Sequence, residues 1–176
     1  MELYEKRGRS NVLTADFLPE LEAGKASVIG AAVYIDERYL PEMALRVGLD
    51  QIARLYAEAG TSSRFTICKT YQEILQARQS QKIAFLITME GVEPLGKDLD
   101  LLRVFYELGV RAICLTHARR NAAGDGGVFA PNGSSRDGLT DFGRNVLSAY
   151  RQLQLELEHF LDQQHEPFAR AVKAAS

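Results

Sequence analysis

Two residues that could do chemistry stand directly after apolar segments of the sequence. Glu90 follows residues 83–89, where six of the seven residues are apolar and none is charged. His117 follows a second apolar segment, residues 112–116. A carboxylate at the end of a buried segment is costly unless a positive charge or hydrogen-bond donors offset it. A carboxylate and an imidazole brought to one place are groups that catalytic sites use.

The segments around these two residues alternate between strand-like and helix-like patterns. Short apolar runs predict strands over residues 26–35, 64–68, 82–89 and 111–117. Apolar spacing and end signals predict helices over residues 40–60, 71–80 and 98–109, and a long helix from Thr140 or Asp141 onwards. Strands that are apolar on both faces and alternate with helices indicate a parallel α/β architecture.

Glu90 and His117 are both expected at the same mouth of such a sheet. Residues just after the carboxyl ends of parallel strands line the active-site face of these folds. A single predicted helix separates the two segments, so their strands should be adjacent or nearly so. Each residue alone also fits a structural role, the glutamate as a cap or ion-pair partner and the histidine as a core residue. Their shared position, followed by loops, favours a function.

Three helix and loop features are predicted in more detail. Thr70 and Glu73 have the spacing of a capping box at a helix start. The polar, glycine-rich stretch 118–138 is long for a loop in a compact domain, which indicates a functional segment. The last helix is predicted to bury one apolar stripe: Phe142, Val146, Leu147, Tyr150, Leu153, Leu157, Phe160 and Leu161.

Composition limits the classes of protein that fit. The 176 residues suit a single domain over 1–176, and a net charge of -2 gives no electrostatic case for binding nucleic acid or an anionic membrane. No apolar run approaches the roughly 20 residues of a membrane helix. The charged first ten residues lack the apolar core of a signal peptide, so a cytoplasmic location is expected. Cys68 and Cys114 are predicted to be reduced and buried.

The second half of the sequence carries an ordered set of motifs. They are EG at 90–91, GVR at 109–111, LTH at 115–117, Asn121, GLT at 138–140 and FGR at 142–144. In this order and spacing, over about residues 12–150, the sequence resembles the membrane (renal) dipeptidase family of zinc peptidases.

The resemblance implies a fold and a reaction. The fold is a partial TIM-like (β/α) barrel with about four parallel strands, and the reaction is hydrolysis of dipeptides by metal-activated water. Two zinc ions are implied at the mouth, with Glu90 as a metal ligand that bridges them. The resemblance also implies that His117 is catalytic and contacts the substrate, and that Asn121 is substrate-binding.

The sequence departs from the family in its metal ligands. It contains no H-x-D motif, and His159 and His165 are best interpreted as surface residues of a divergent helical tail over 152–176. Zinc needs three or four protein ligands, whereas Glu90 is the one convincing ligand present. The isolated chain is therefore expected to be weak or inactive, and to self-associate as a homo-oligomer or to need a complementing chain.

Two other interpretations stay open at this point. One is a non-catalytic, self-associating remnant or binding module of the same fold, since a half barrel leaves strand edges uncovered. The other is a different β/α-barrel enzyme that shares only the glutamate and the histidine at its strand ends. The ordered motifs disfavour the second of these.

Overall fold

The computed structural model describes residues 8–127 and 138–174, with side chains as far as residue 161. Ten residues of the predicted functional loop and the side chain of His165 lie outside this description. The helices are α1 (Leu18–Ala23), α2 (Ala44–Gly60), α3 (Tyr71–Gln79), α4 (Asp100–Glu107) and α5 (Asp141–Ala174). The strands are β1 (Val28–Tyr34), β2 (Phe65–Ile67), β3 (Ile83–Glu90) and β4 (Val110–Cys114).

The four strands form one parallel sheet with β3 at its centre. β1 pairs with β3 from Val28 opposite Ala84 to Tyr34 opposite Glu90. The other edge of β3 is shared, because β2 pairs with its first residues and β4 with its last. Helices alternate with these strands along the chain, which confirms the predicted α/β class of about four parallel strands.

Local signals placed several helix ends correctly. The Thr70 hydroxyl accepts a hydrogen bond from the Glu73 N–H at 3.2 Å, and the Glu73 carboxylate accepts one from the Thr70 N–H at 3.0 Å, so the predicted capping box is confirmed. Helix α2 ends at Gly60 as expected but begins only at Ala44. Leu40 is extended because it precedes Pro41, a position where helical backbone is disfavoured.

The two faces of the sheet are covered to different degrees. The outer face carries Ile83, Phe85, Ile87 and Met89 of β3, all at most 4% exposed in the main core. The inner face carries the alternate residues of β3. On it, α3 and Cys68 cover Ala84 at the start of the strand, whereas Leu86, Thr88 and Glu90 are only partly buried.

Neighbouring strands continue the open part of the inner face. Gly30 and Ala32 of β1 and Ala112 and Cys114 of β4 are exposed there. Cys114 was predicted to be buried, and that prediction is wrong because no described helix covers this end of the inner face. Cys68 is buried as expected, and both cysteines are free thiols.

Helix α5 packs on the core with a narrower stripe than predicted. Val146 and Leu153 are buried, but Leu147 is 36% and Phe160 is 56% exposed, so these two were wrongly placed in the stripe. A short π-helical turn, Leu13–Phe17, leads into α1, and the sequence patterns did not predict either element. Among the described residues, no helix has the length and apolar character needed to cross a membrane.

Candidate active site

Glu90 and His117 meet at the carboxyl end of the sheet. Glu90 ends β3 and stands opposite Cys114, the last residue of β4, and His117 follows three residues later. The His117 Nδ1 atom lies 2.9 Å from the Glu90 Oε1 atom. The imidazole is half exposed and the carboxylate is 36% exposed, so both groups face the mouth. This contact confirms the expectation that the two residues share one mouth on adjacent strands.

The backbone conformation after Glu90 explains why a glycine stands at position 91. Gly91 has a φ of +92°, which L side chains rarely adopt, and a Cβ there would collide with the Glu93 carboxylate. The Gly91 N–H donates to the Cys114 carbonyl at 2.9 Å, and the Val92 N–H donates to the Leu115 carbonyl at 3.2 Å. These bonds carry the β3–β4 pairing past Glu90 and hold the two strand ends together.

The contact with Glu90 defines what His117 can do chemically. An imidazole whose Nδ1–H donates to a carboxylate has its other nitrogen, Nε2, available for a second partner. Nε2 acts as an acceptor when the ring is neutral and as a donor when the ring is charged. The pair can therefore accept a proton from, or donate a hydrogen bond to, a group bound at the mouth.

Two further residues belong to this mouth, and the sequence reasoning missed them. The Tyr34 ring meets the His117 ring edge-on, with centroids 6.0 Å apart. The Arg119 guanidinium lies 5.5 Å from the Tyr34 ring centroid and donates a hydrogen bond to the Ile35 carbonyl. Tyr34 could have been found by the rule that found Glu90, since it also stands at the carboxyl end of an apolar strand.

Asn121 lies in the loop after His117 and bonds to backbone. Its amide nitrogen donates to the Leu115 carbonyl at 2.7 Å, and its Oδ1 accepts from the Ala123 N–H at 2.8 Å. Both ends of the side chain thereby shape the loop that follows β4. The substrate-binding role expected for Asn121 stays a prediction.

A cavity of about 470 Å³ lies against β1. Its lining is mostly apolar and comes from β1, from α2, from the helical segment before β1 and from Phe85 and Ile87 of β3. It extends to Tyr34 and Glu90. At the Tyr34 end, the Gln51 side chain occupies the strand edge. Gln51 donates to the Tyr34 carbonyl at 2.6 Å and accepts from the Tyr34 N–H at 3.2 Å.

Comparison with known proteins shows the family of this chain. The family model described as membrane dipeptidase (peptidase family M19) matches residues 6–155. The chain belongs to the membrane dipeptidase family. This match confirms the predicted family, whose members are hydrolases. The match ends inside α5, so the second half of that helix lies outside it.

Named relatives of the chain are longer than the chain itself. Human Dipeptidase 3 is 28% identical over 119 residues, which are 66% of this chain and 24% of the human protein. An uncharacterized protein in the PQQ-III 3' region of Acinetobacter calcoaceticus is 30% identical over 118 residues, 65% of this chain and 38% of that protein. The chain thus spans well under half the length of these relatives.

Solved dipeptidase structures share the fold. The dipeptidase AC, a metallopeptidase of family M19, superposes with a TM-score of 0.74 at 25% identity, covering 86% of this chain and 50% of that one. A Rhodobacter sphaeroides metallopeptidase, liganded with a phosphinate mimic of the dipeptide L-Ala-D-Ala, gives a TM-score of 0.70 at 24% identity, covering 81% and 50%. These structures are TIM-barrel-type dipeptidases, which confirms a partial barrel.

The described residues do not form a complete metal site. Within residues 8–127 and 138–161, no three His, Cys, Asp or Glu side chains are grouped so that they could hold a metal ion. Glu90 supplies one carboxylate at the mouth, whereas zinc needs three or four protein ligands. His159 is exposed on α5, as expected for a surface residue. The metal that a metallopeptidase family implies therefore needs ligands beyond these residues.

Proposed function

We propose that this chain provides the Glu90–His117 part of a zinc-dependent dipeptidase site. The observation that carries the proposal is the 2.9 Å contact between the two side chains at the mouth of adjacent strands, in a chain of the membrane dipeptidase family. Zinc is the proposed metal because it accepts carboxylate and imidazole ligands. The isolated chain is proposed to be weak or inactive, since its described residues leave the metal site incomplete.

His117 has the clearer chemical role in this proposal. Its Nε2 can donate a hydrogen bond to a substrate carbonyl oxygen as that oxygen becomes negative during hydrolysis. Glu90 holds the imidazole by its Nδ1 side and is the proposed metal ligand. A dipeptide is the proposed substrate, because the Rhodobacter sphaeroides structure, with its dipeptide mimic, shares this fold.

The open part of the inner face supports a partner that completes the barrel. Small or apolar residues are exposed there. In the described part of the chain, no strand pairs with the edge of β1 that faces away from β3. We propose that a second copy or a complementing chain covers this surface. The same observation favours a second candidate function, a non-catalytic module that self-associates. The cytoplasmic location expected from the charged first residues stays a prediction.

Metal content and hydrolysis of the purified chain test the proposal. After incubation with zinc and dialysis, we expect fewer than two equivalents per chain by elemental analysis, because too few ligands are grouped in the described residues. Two tightly held equivalents would contradict the incomplete site. Sedimentation at several concentrations then tests for association through the inner face, and a monodisperse monomer throughout would count against it.

Variants separate the dipeptidase from the non-catalytic module. If the chain hydrolyses dipeptides, alone or with a complementing chain, Glu90→Gln should abolish the activity and His117→Ala should chiefly lower turnover. Glu42→Gln, at an exposed position before α2, is the matched control and should change neither. Equal rates in all three variants would remove the pair from the mechanism. No hydrolysis under any condition, with association retained, would favour the module.

A further inference from the structure

We infer that Arg119 is a positioning residue, which holds the imidazole of His117 in place at the mouth by clamping Tyr34 against it. The inference deepens the proposed function, because it assigns a role at the same site. Contacts around one guanidinium group support this role, and the position of the His117 ring reports it independently of hydrolysis.

Arg119 ties together the three segments that form the mouth. It lies in the loop after β4, two residues beyond His117, and its guanidinium donates to the Ile35 carbonyl just after β1. The Arg119 Nε lies 3.6 Å from the Oε1 of Glu93, in the turn that follows Glu90. One side chain therefore joins the carboxyl ends of β1, β3 and β4.

Tyr34 connects Arg119 to His117. The guanidinium lies 5.5 Å from the Tyr34 ring centroid, within the range of a cation–π contact, and Arg119 Nη2 is 3.4 Å from the Tyr34 hydroxyl oxygen. The Tyr34 ring in turn meets the His117 ring edge-on. The tyrosine is thus held between the arginine and the histidine, while Gln51 binds its backbone from the edge of the strand.

The imidazole needs such support because of where it lies. His117 is beyond the end of β4 and half exposed, so strand pairing does not restrain its ring. Glu90 contacts the ring at Nδ1, and Tyr34 packs against it from a second direction. Two contacts from different directions define the ring plane, and with it the direction in which Nε2 points.

The burial of Arg119 supports a role beyond stability. Its side chain is 23% exposed and that of Glu93 is 10% exposed, so both charges are largely removed from water. Removing a charge pair from water costs free energy that the mutual attraction often fails to recover. Arg120, the next residue, forms its ion pair without this cost of burial. Its side chain is 52% exposed and pairs with Asp125 of the same loop.

Nuclear magnetic resonance of the full chain tests the inference. The nuclear Overhauser cross-peaks between the Tyr34 and His117 rings report their contact directly. We expect these cross-peaks in the unmodified chain and in Arg120→Met, which removes a neighbouring guanidinium from the same loop. Arg119→Met should lose them while keeping the backbone cross-peaks between β1 and β3. A folded Arg119→Met variant that keeps the ring cross-peaks would overturn the inference.

A second variant covers the case in which Arg119→Met does not fold. Arg119→Lys keeps the charge, but its single ammonium cannot reach the Ile35 carbonyl and Glu93 as the guanidinium fork does. It should also lose the ring cross-peaks, and retaining them would then overturn the inference. Failure of the proposed function would be seen separately, as absent hydrolysis with the ring contact intact.

Discussion

The outer and inner faces of the sheet contrast in how far this chain completes them. On the outer face, Ile87 and Met89 are at most 1% exposed beneath the chain's own helices. On the inner face, Val28 is 43% exposed and Cys114 is open to solvent, although both lie in the same four strands. The stability of the fold and the completion of the site therefore have separate sources. The helices of this chain stabilise the sheet, whereas a complete site at the mouth needs ligands beyond the described residues.

Two valines of β1 test this contrast most strongly. Val33 is 3% exposed on the outer face, and Val28 is on the inner face of the same strand. Val33→Ala should lower the free energy of unfolding by about 2 kcal/mol, through lost burial and a cavity. Val28→Ala should change it by no more than about 0.5 kcal/mol. Urea denaturation of the two variants at low protein concentration, where a second copy does not cover the inner face, measures the difference. Equal losses would mean that the inner face is packed in solution.

The two cysteines compare a covered part of the inner face, at Cys68, with its open part, at Cys114. Burial, with a smaller contribution from the Glu73 carboxylate, raises the pKa of the Cys68 thiol, and this residue is 1% exposed. At low protein concentration, Cys114 should react with a thiol reagent at least about tenfold faster than Cys68, because Cys68 reacts only after local opening. Mass spectrometry of the two cysteine peptides over time measures both rates.

Protein concentration sharpens this test. If a second copy covers the inner face, the reaction of Cys114 should slow as concentration rises while that of Cys68 stays constant. A Cys114 rate that stays fast at every concentration would argue against self-association through this face. Slow labelling of both cysteines even in dilute solution would show that the inner face is covered within the chain.

The smallest expected effect concerns two tyrosines between α4 and α5. Burial raises the pKa of the Tyr106 and Tyr150 phenols, whose ring centroids are 5.8 Å apart. A raised pKa in the folded state gives stability that is present below about pH 10 and is lost as the pH rises through the folded pKa. The unfolding midpoint should therefore fall at high pH, and Tyr150→Phe should make this fall shallower.

At neutral pH, Tyr150→Phe should cost little. The Tyr150 hydroxyl is buried without a hydrogen-bond partner among the described residues, so its removal should change the unfolding free energy by less than about 1 kcal/mol. Thermal unfolding from pH 7 to pH 11, compared with the unmodified chain, measures both effects. A large loss at pH 7 would show that the hydroxyl has a partner in solution.

Sequence reasoning succeeded where the signal was local. The position of Glu90 after an uncharged apolar run predicted a strand end, and the Thr70–Glu73 spacing predicted a helix start. It failed where the cause was distant in the chain. Arg119 contacts the Ile35 carbonyl across 84 residues, and nothing near Arg119 in sequence indicates that contact. The exposure of Cys114 likewise depends on what covers a face, which the strand's own apolar pattern does not record.

The Gln51 side chain limits how another strand can pair with β1. Parallel strands turn the N–H and C=O of alternate residues towards the same neighbour. Because Gln51 takes both groups of Tyr34, a new strand finds its hydrogen-bonding positions at Val28, Gly30 and Ala32 and none beyond them. The Gln51 amide therefore ends the row of free backbone groups along this edge of β1. It sets how far along β1 an incoming strand can pair, and so limits the registers that it can adopt.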